Sequence, residues 1–202
     1  MANQLLIAIL AAGASRRLGQ PKQLVKLNGE PLLRRQCRVA LDAGVGPVAA
    51  IIGCHADDCA ATIADLTVPA HLNDQWHEGI ASSIRAATAA AIEVGADGVL
   101  LLHCDQYRVS AGDLQRLRDA WRSSSGLRAC RSMHERYTGP PVIFPSDAFR
   151  YLMQLQGDDG ARGVLSRLGP ERVFDVAMPG AVEDLDLPAQ LSEIIDTYCH
   201  GR

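Results

Sequence analysis

Three unbroken apolar runs set the fold: "QLLIAIL", "PVAAIIG" and "GVLLLHC". A strand that is apolar throughout has both faces buried, which is the mark of a parallel sheet covered by helices. Segments with helical periodicity lie between and after these runs: "PLLRRQCRVALDAG", "HADDCAATIADL", "GIASSIRAATAAAIEVG" and "SAGDLQRLRDAWRS". Pro31 opens the first of these helices and Gly44 closes it. Ser110 is a natural N-cap for the last. "PAHLN" reads as a short strand. From Leu127 the rhythm changes. "LRACRS", "GPPVIF" and "RVFDVAM" read as strands between turns, with short helices at "SDAFRYLMQL" and "ARGVLSRL" and a closing helix at "PAQLSEIIDTYC". The expectation is an α/β chain with a single domain over residues 1–202 and a sheet covered on both faces.

The first strand runs into "LAAGASRRLGQPKQ", residues 10–23. Ala11, Ala12 and Gly13 let backbone amides approach a ligand closely, as an anion-binding turn requires. Between Arg16 and Arg38 there are seven Lys or Arg and one acid, Glu30, although the net charge of the chain is −3. A local basic patch on a mildly acidic protein suits a small polyanion better than a nucleic acid. Two nucleotide motifs are excluded. A P-loop needs GxxxxGK[ST], but Gly19 is followed by Gln20. The dinucleotide fingerprint needs GxGxxG, and "GASRRLG" lacks the middle glycine.

Ligands of open α/β sheets sit at the carboxyl ends of the strands. The loop after "LLIAIL" and Asp105 after "VLLLHC" therefore share one rim. A carboxylate beside bound phosphates suggests Mg²⁺. The six histidines show no HxH or HExxH spacing, so a zinc site is not expected. The six cysteines include no CxxC pair, and Cys54 and Cys59 read as small packed thiols. With no signal-like leader and no apolar run of membrane length, the expected setting is cytoplasmic with reduced thiols.

"LAAGASRRLGQPKQL" followed by "GEPLL" resembles the signature of nucleotidyltransferases with a GT-A-like, Rossmann-related fold. Within them it is most similar to the molybdenum cofactor cytidylyltransferase group, with Leu18 in place of a Met. "NDQWHEGIASSI", "LLHCDQYRV", "GPPVIF", "GDDGARGVL" and "VEDLDLPAQL" continue the resemblance in family order, from Leu10 to Leu191. Tyr107 departs from it by standing where the group has proline, beside Asp105. The resemblance implies a three-layer α/β/α architecture with a mostly parallel mixed sheet. It implies Mg²⁺-dependent transfer of CMP from CTP to the phosphate of a molybdopterin-type pterin, releasing pyrophosphate. Other phosphorylated acceptors, such as a sugar phosphate or methylerythritol phosphate, remain open. So does a non-catalytic role delivering the cofactor to a molybdenum oxidoreductase. No nucleic-acid or membrane partner is expected.

The same resemblance assigns residues. Leu10, Ala11, Ala12, Gly13 and Ser15 would cradle the nucleotide, and Ala12 favours CTP over GTP. Arg17 offers a guanidinium fork and Lys22 a point charge to the triphosphate. Gly79, Ser82 and Ser83 would lie by the base. Asp105 and Asp186 are the expected metal ligands, with Asp184 in reserve, and Arg162 would hold the acceptor. Arg16 reads as solvent-facing. Lys26, Arg34, Arg35 and Arg38 read as a solvated helix face. Trp76 reads as a packed loop anchor or a stacking platform for the base.

Overall fold

The computed structural model describes residues 4–183 and 185. The predicted closing helix, Asp184 and Asp186 lie outside them. At the centre stands β1 (Leu5–Ala11), with all seven residues buried. It pairs in parallel with β4 (Val48–Ile52) on one side and β6 (Gly98–His103) on the other. Beyond β4 lies β5 (Ala70–Leu72), also parallel. The strands β1, β4 and β6 are the three continuous apolar runs, and β5 is the short, exposed edge strand beside them.

The second half completes the sheet in the order β5-β4-β1-β6-β8-β7-β9. The strand β7 (Ala129–His134) turns back tightly into β8 (Tyr137–Pro145), which slots antiparallel between β6 and β7. The edge strand β9 (Val173–Ala177) runs parallel to β7. Only β8 is reversed, so the sheet is mixed and mostly parallel. The shorter spacing after Leu127 is this hairpin. A small extra hairpin, β2 (Lys26–Leu27) with β3 (Glu30–Pro31), follows the glycine loop and was not foreseen.

Alternate residues of β1 face opposite layers, as pleating demands. Leu5, Ile7 and Ile9 pack under α1 (Leu32–Ala43), α2 (Ala56–Ile63) and α4 (Ala111–Ser123). Leu6, Ala8 and Leu10 pack under α3 (Ile80–Glu93), α5 (Phe149–Leu152) and α6 (Arg162–Leu168). The predicted helix end at Gly44 and helix start at Ser110 hold. Gly44 ends α1 at φ 61°, and Ser110 and Asp113 form a reciprocal capping box on α4. Lys26 is a correction: it lies on β2 rather than on a helix. Arg34 pairs with Asp65 and Arg38 with Glu30, while Arg35 Nε donates to the Tyr107 carbonyl. These arginines are tied down on α1 rather than merely solvated.

Trp121 of α4 is fully buried against Gly98 of β6, where a Cβ would come within 2.6 Å of the indole. Its Nε1 has no hydrogen-bond partner among the described residues. Trp121→Ala should cost about 3–5 kcal/mol in urea unfolding. Trp121→Phe should cost clearly less, since it keeps most of the ring and removes the unpaired donor.

Candidate active site

The loop after β1 is held by side chains more than by its own backbone. Gln23 lies in a short 3-10 helix, Lys22–Leu24, and is buried. Its Nε2 donates to the carbonyls of Ala11 at 2.8 Å and Gly13 at 2.6 Å. Ser15 takes φ 52°, and its Oγ accepts from the Lys22 amide at 3.0 Å. The Ala12 carbonyl accepts from the Cys54 amide at 2.9 Å. Just before Cys54, a Cβ on Gly53 would come within 2.7 Å of Trp76 Cβ and 2.9 Å of Ala12 Cβ, so only glycine fits. On its far side the loop buries Leu18 with Val25, Leu27, Leu32, Tyr107 and Leu185 in a separate apolar cluster.

Register carries β6 to the same rim, because Leu10 lies beside His103. Asp105 follows, 4% exposed. Lys22 Nζ donates to Asp105 Oδ2, joining two residues that the sequence assigned to separate tasks. Asp105 Oδ1 is buried with no partner among the described residues. Gln106 anchors the turn, donating to the carbonyls of Pro140 at 2.7 Å and Ala181 at 3.0 Å. Its own carbonyl accepts from Gln36 Nε2 at 2.8 Å. Tyr107 is buried, and its hydroxyl donates to Glu183 Oε2 at 2.9 Å. Burial, and then the Glu183 carboxylate, push its phenol pKa up, so it stays a neutral donor. A tyrosine in the proline position thus fixes this turn. Burial likewise pushes the Cys104 thiol well above its usual range.

The third wall is the turn into α3. Gly79 has φ 127°, and a Cβ there would clash with the backbone of Gly157. Asn73 Nδ2 donates to Ser82 Oγ at 2.9 Å and Ser83 Oγ at 3.2 Å, and Ser82 Oγ donates to the Gly79 carbonyl at 2.9 Å. Glu78 is paired with Arg85 and accepts from the Gly157 amide at 3.0 Å. Arg85, then the Gly157 amide, lower the Glu78 pKa to about 2.

These walls enclose a cleft of about 380 Å³. Leu10, Ala11, Ala12, Gly13, Ser15 and Lys22 line one side of it, and Gly79, Ser83 and Asp105 the others. Nine expected residues are thus brought together. Trp76, Gln23 and Asp158 line it too. Arg16 and Arg17 are both exposed, as expected of Arg16, yet Arg16 is in the cleft lining and Arg17 is not. Ser82 is not in the lining either, since its hydroxyl serves the Gly79 turn. Arg162 lies on a second, more apolar cavity of about 290 Å³, with Tyr137, Pro140 and Arg131. The two cavities share Leu10, Ile80 and His103. Among the described residues no three His, Cys, Asp or Glu cluster as a metal cage.

The MobA-like NTP transferase domain family matches residues 7–173. The chain belongs to this family. As a MobA-like NTP transferase domain it is a nucleotidyltransferase, and its fold agrees with its relatives. It is similar to the purine catabolism protein PucB of Bacillus subtilis, 29% identical over 92% of this chain and 93% of that protein. A probable molybdenum cofactor guanylyltransferase of Synechococcus elongatus is 38% identical over 59% of this chain and 57% of its own length. Among solved structures, Rv0371c of Mycobacterium tuberculosis superposes with a TM-score of 0.82 at 28% identity, covering 97% of this chain and 100% of that one. A manganese complex of Rv0371c has a TM-score of 0.74 at 25% identity, over 94% of this chain and 98% of that one.

Sequence reasoning missed Gln23, Gly53, Glu78 and Arg85. Gln23 sits inside the quoted loop, but nothing local marks an amide as a clamp. Gln23→Leu should leave two loop carbonyls without their donor, lowering stability by about 1–3 kcal/mol. Nucleotide affinity should fall with it, as read by calorimetry. The Glu78 contact has a pH signature. Its folded pKa of about 2 lies below the ordinary 4.5, so its stabilisation is complete above 4.5 and lost as pH falls through 2. Amide exchange at Gly157, corrected for intrinsic rate, should lose protection across that window.

Proposed function

We propose that this nucleotidyltransferase transfers CMP from CTP, with Mg²⁺, to the phosphate of a molybdopterin-type pterin. The observation that carries this reading is the pair of joined cavities on the sheet rim. The polar one, with its glycine loop and cationic Lys22, suits a nucleoside triphosphate. The apolar one, with Arg131 and Arg162 in its lining, suits an acceptor with a flat apolar body and an anionic group. Ala12 at the loop supports CTP, and the similarity to a molybdenum cofactor guanylyltransferase supports the cofactor as acceptor.

In this reaction an acceptor phosphate oxygen forms a bond to the α-phosphorus. The bond from that phosphorus to the bridging oxygen of the β-phosphate breaks, and pyrophosphate leaves. The acceptor is already ionised near neutral pH, so no general base is needed. The chain's contribution is alignment and charge stabilisation. Loop amides and Lys22 would hold the triphosphate, and Arg16 stands beside them at the cleft. The buried, unpartnered Oδ1 of Asp105 fits a hard cation whose other ligands are substrate phosphates. Asp105 would hold Mg²⁺, with Asp186 by resemblance, and the ion would neutralise charge building on the triphosphate.

The test is pyrophosphate release from each of CTP, GTP, ATP and UTP, with Mg²⁺ or Mn²⁺ and with molybdopterin, a sugar phosphate or methylerythritol phosphate. CTP with molybdopterin should be fastest. Tight pterin binding with no release from any pair would replace transfer by delivery. Asp105→Asn should lower turnover by about a thousandfold or more with the fold intact by circular dichroism.

A further inference from the structure

The segment 155–162 touches both cavities. Asp158 lines the polar cleft, while Gly160, Ala161 and Arg162 line the apolar cavity. One side chain ties this segment to the nucleotide-side turn. Arg85 Nη1 donates to Glu78 Oε1 at 2.9 Å and to the Leu155 carbonyl at 2.7 Å. Its Nη2 donates to Glu78 Oε2 at 2.5 Å and to Gln75 Oε1 at 3.0 Å. Glu78 in turn accepts from the Gly157 amide, and the Gly157 carbonyl accepts from the Ala81 amide at 3.1 Å. Gly79 permits this approach, since any side chain there would strike Gly157. Arg85 itself lines neither cavity, while its partner Glu78 lies in the lining of the polar cleft, so the guanidinium reaches the nucleotide side through Glu78.

We propose that Arg85 is a positioning residue that couples the two subsites, so that a nucleotide at the Gly79 turn orders the Gly157–Arg162 wall of the acceptor cavity. The inference rests on the nucleotide occupying the polar cleft. Its physical basis is a planar guanidinium whose fork engages the turn on one side and the strap on the other. Nucleotide contacts at Gly79 and Ser83 would restrain the 3-10 helix Trp76–Glu78, which carries Glu78. A restrained Glu78 holds Arg85, and both hold the strap. Coupling of this kind is a free energy between sites, visible as a change at one when the other is filled.

Hydrogen exchange over residues 155–168 reads it without an acceptor. The probe is α,β-methylene CTP with Mg²⁺, or the guanosine analogue if GTP is the better substrate. In the wild-type chain, nucleotide should raise protection of 157–162 by about fivefold or more. In Arg85→Leu that increment should vanish, while nucleotide Kd stays within about threefold. The readout is the nucleotide-induced change, which a loss of basal stability alone does not remove. An equal increment in Arg85→Leu overturns the proposal, as does a loss of nucleotide affinity of about tenfold or more. Nucleotide binding to the wild type without added protection overturns it as well. No nucleotide binding to the wild type would instead sink the functional reading, and this inference with it. Should Arg85→Leu fail to fold, Arg85→Lys carries the test. Its ammonium cannot bridge both sides, so the increment should drop by about threefold, and full retention overturns the proposal.

Discussion

The parallel pairing of β1 with β6 is the constraint on which the site depends. Its register sets Leu10 beside His103, so both strands end at one level. Each then continues into the chemistry it carries: the glycine loop from β1, and Asp105 from β6. Lys22 and Asp105 are 83 residues apart in sequence and meet because of that register. A slip of one residue would turn alternate side chains to the opposite face and take this meeting with it. Since both faces of these strands are apolar, the cost of such a slip lies in repacking side chains of unequal size under the two helix layers.

The fold was legible because its signals are local and repeated. Continuous apolar runs, a helix-ending glycine at 44 and a capping serine at 110 each occur within a few residues. The glycine loop was legible by its motif and by the order of its companions. What was hidden depends on torsion or on distant partners. Arg16 and Arg17 are chemically alike and adjacent, and no spacing rule says that Arg16 is the one in the cleft lining. Lys26 sits in a hairpin too short for any period to register. Tyr107 looked like a disturbance in sequence, but Glu183, far along the chain, turns it into an anchor. Gln23 and Arg85 act through carbonyls and carboxylates that no spacing rule connects to them.

The two cavities differ in a way that the strands explain. The polar cleft is built where backbone turns leave amides and carboxylates at the rim. The apolar cavity is built on the sheet itself, from Leu10, Leu101 and Val142, under α3 and α6. One is a product of loops and the other of a gap between the sheet face and the helices that cover it. His103, the last residue of β6, belongs to both.

The small apolar cluster of Leu18 with Val25, Leu27, Leu32, Tyr107 and Leu185 has a bearing on catalysis, though it touches no ligand. A glycine-rich, cationic loop left to itself would sample many shapes, and each binding event would have to select one. Burying Leu18 behind the loop fixes its shape during folding. The entropy of ordering is then lost once in the lifetime of the molecule, and not again with each substrate that arrives.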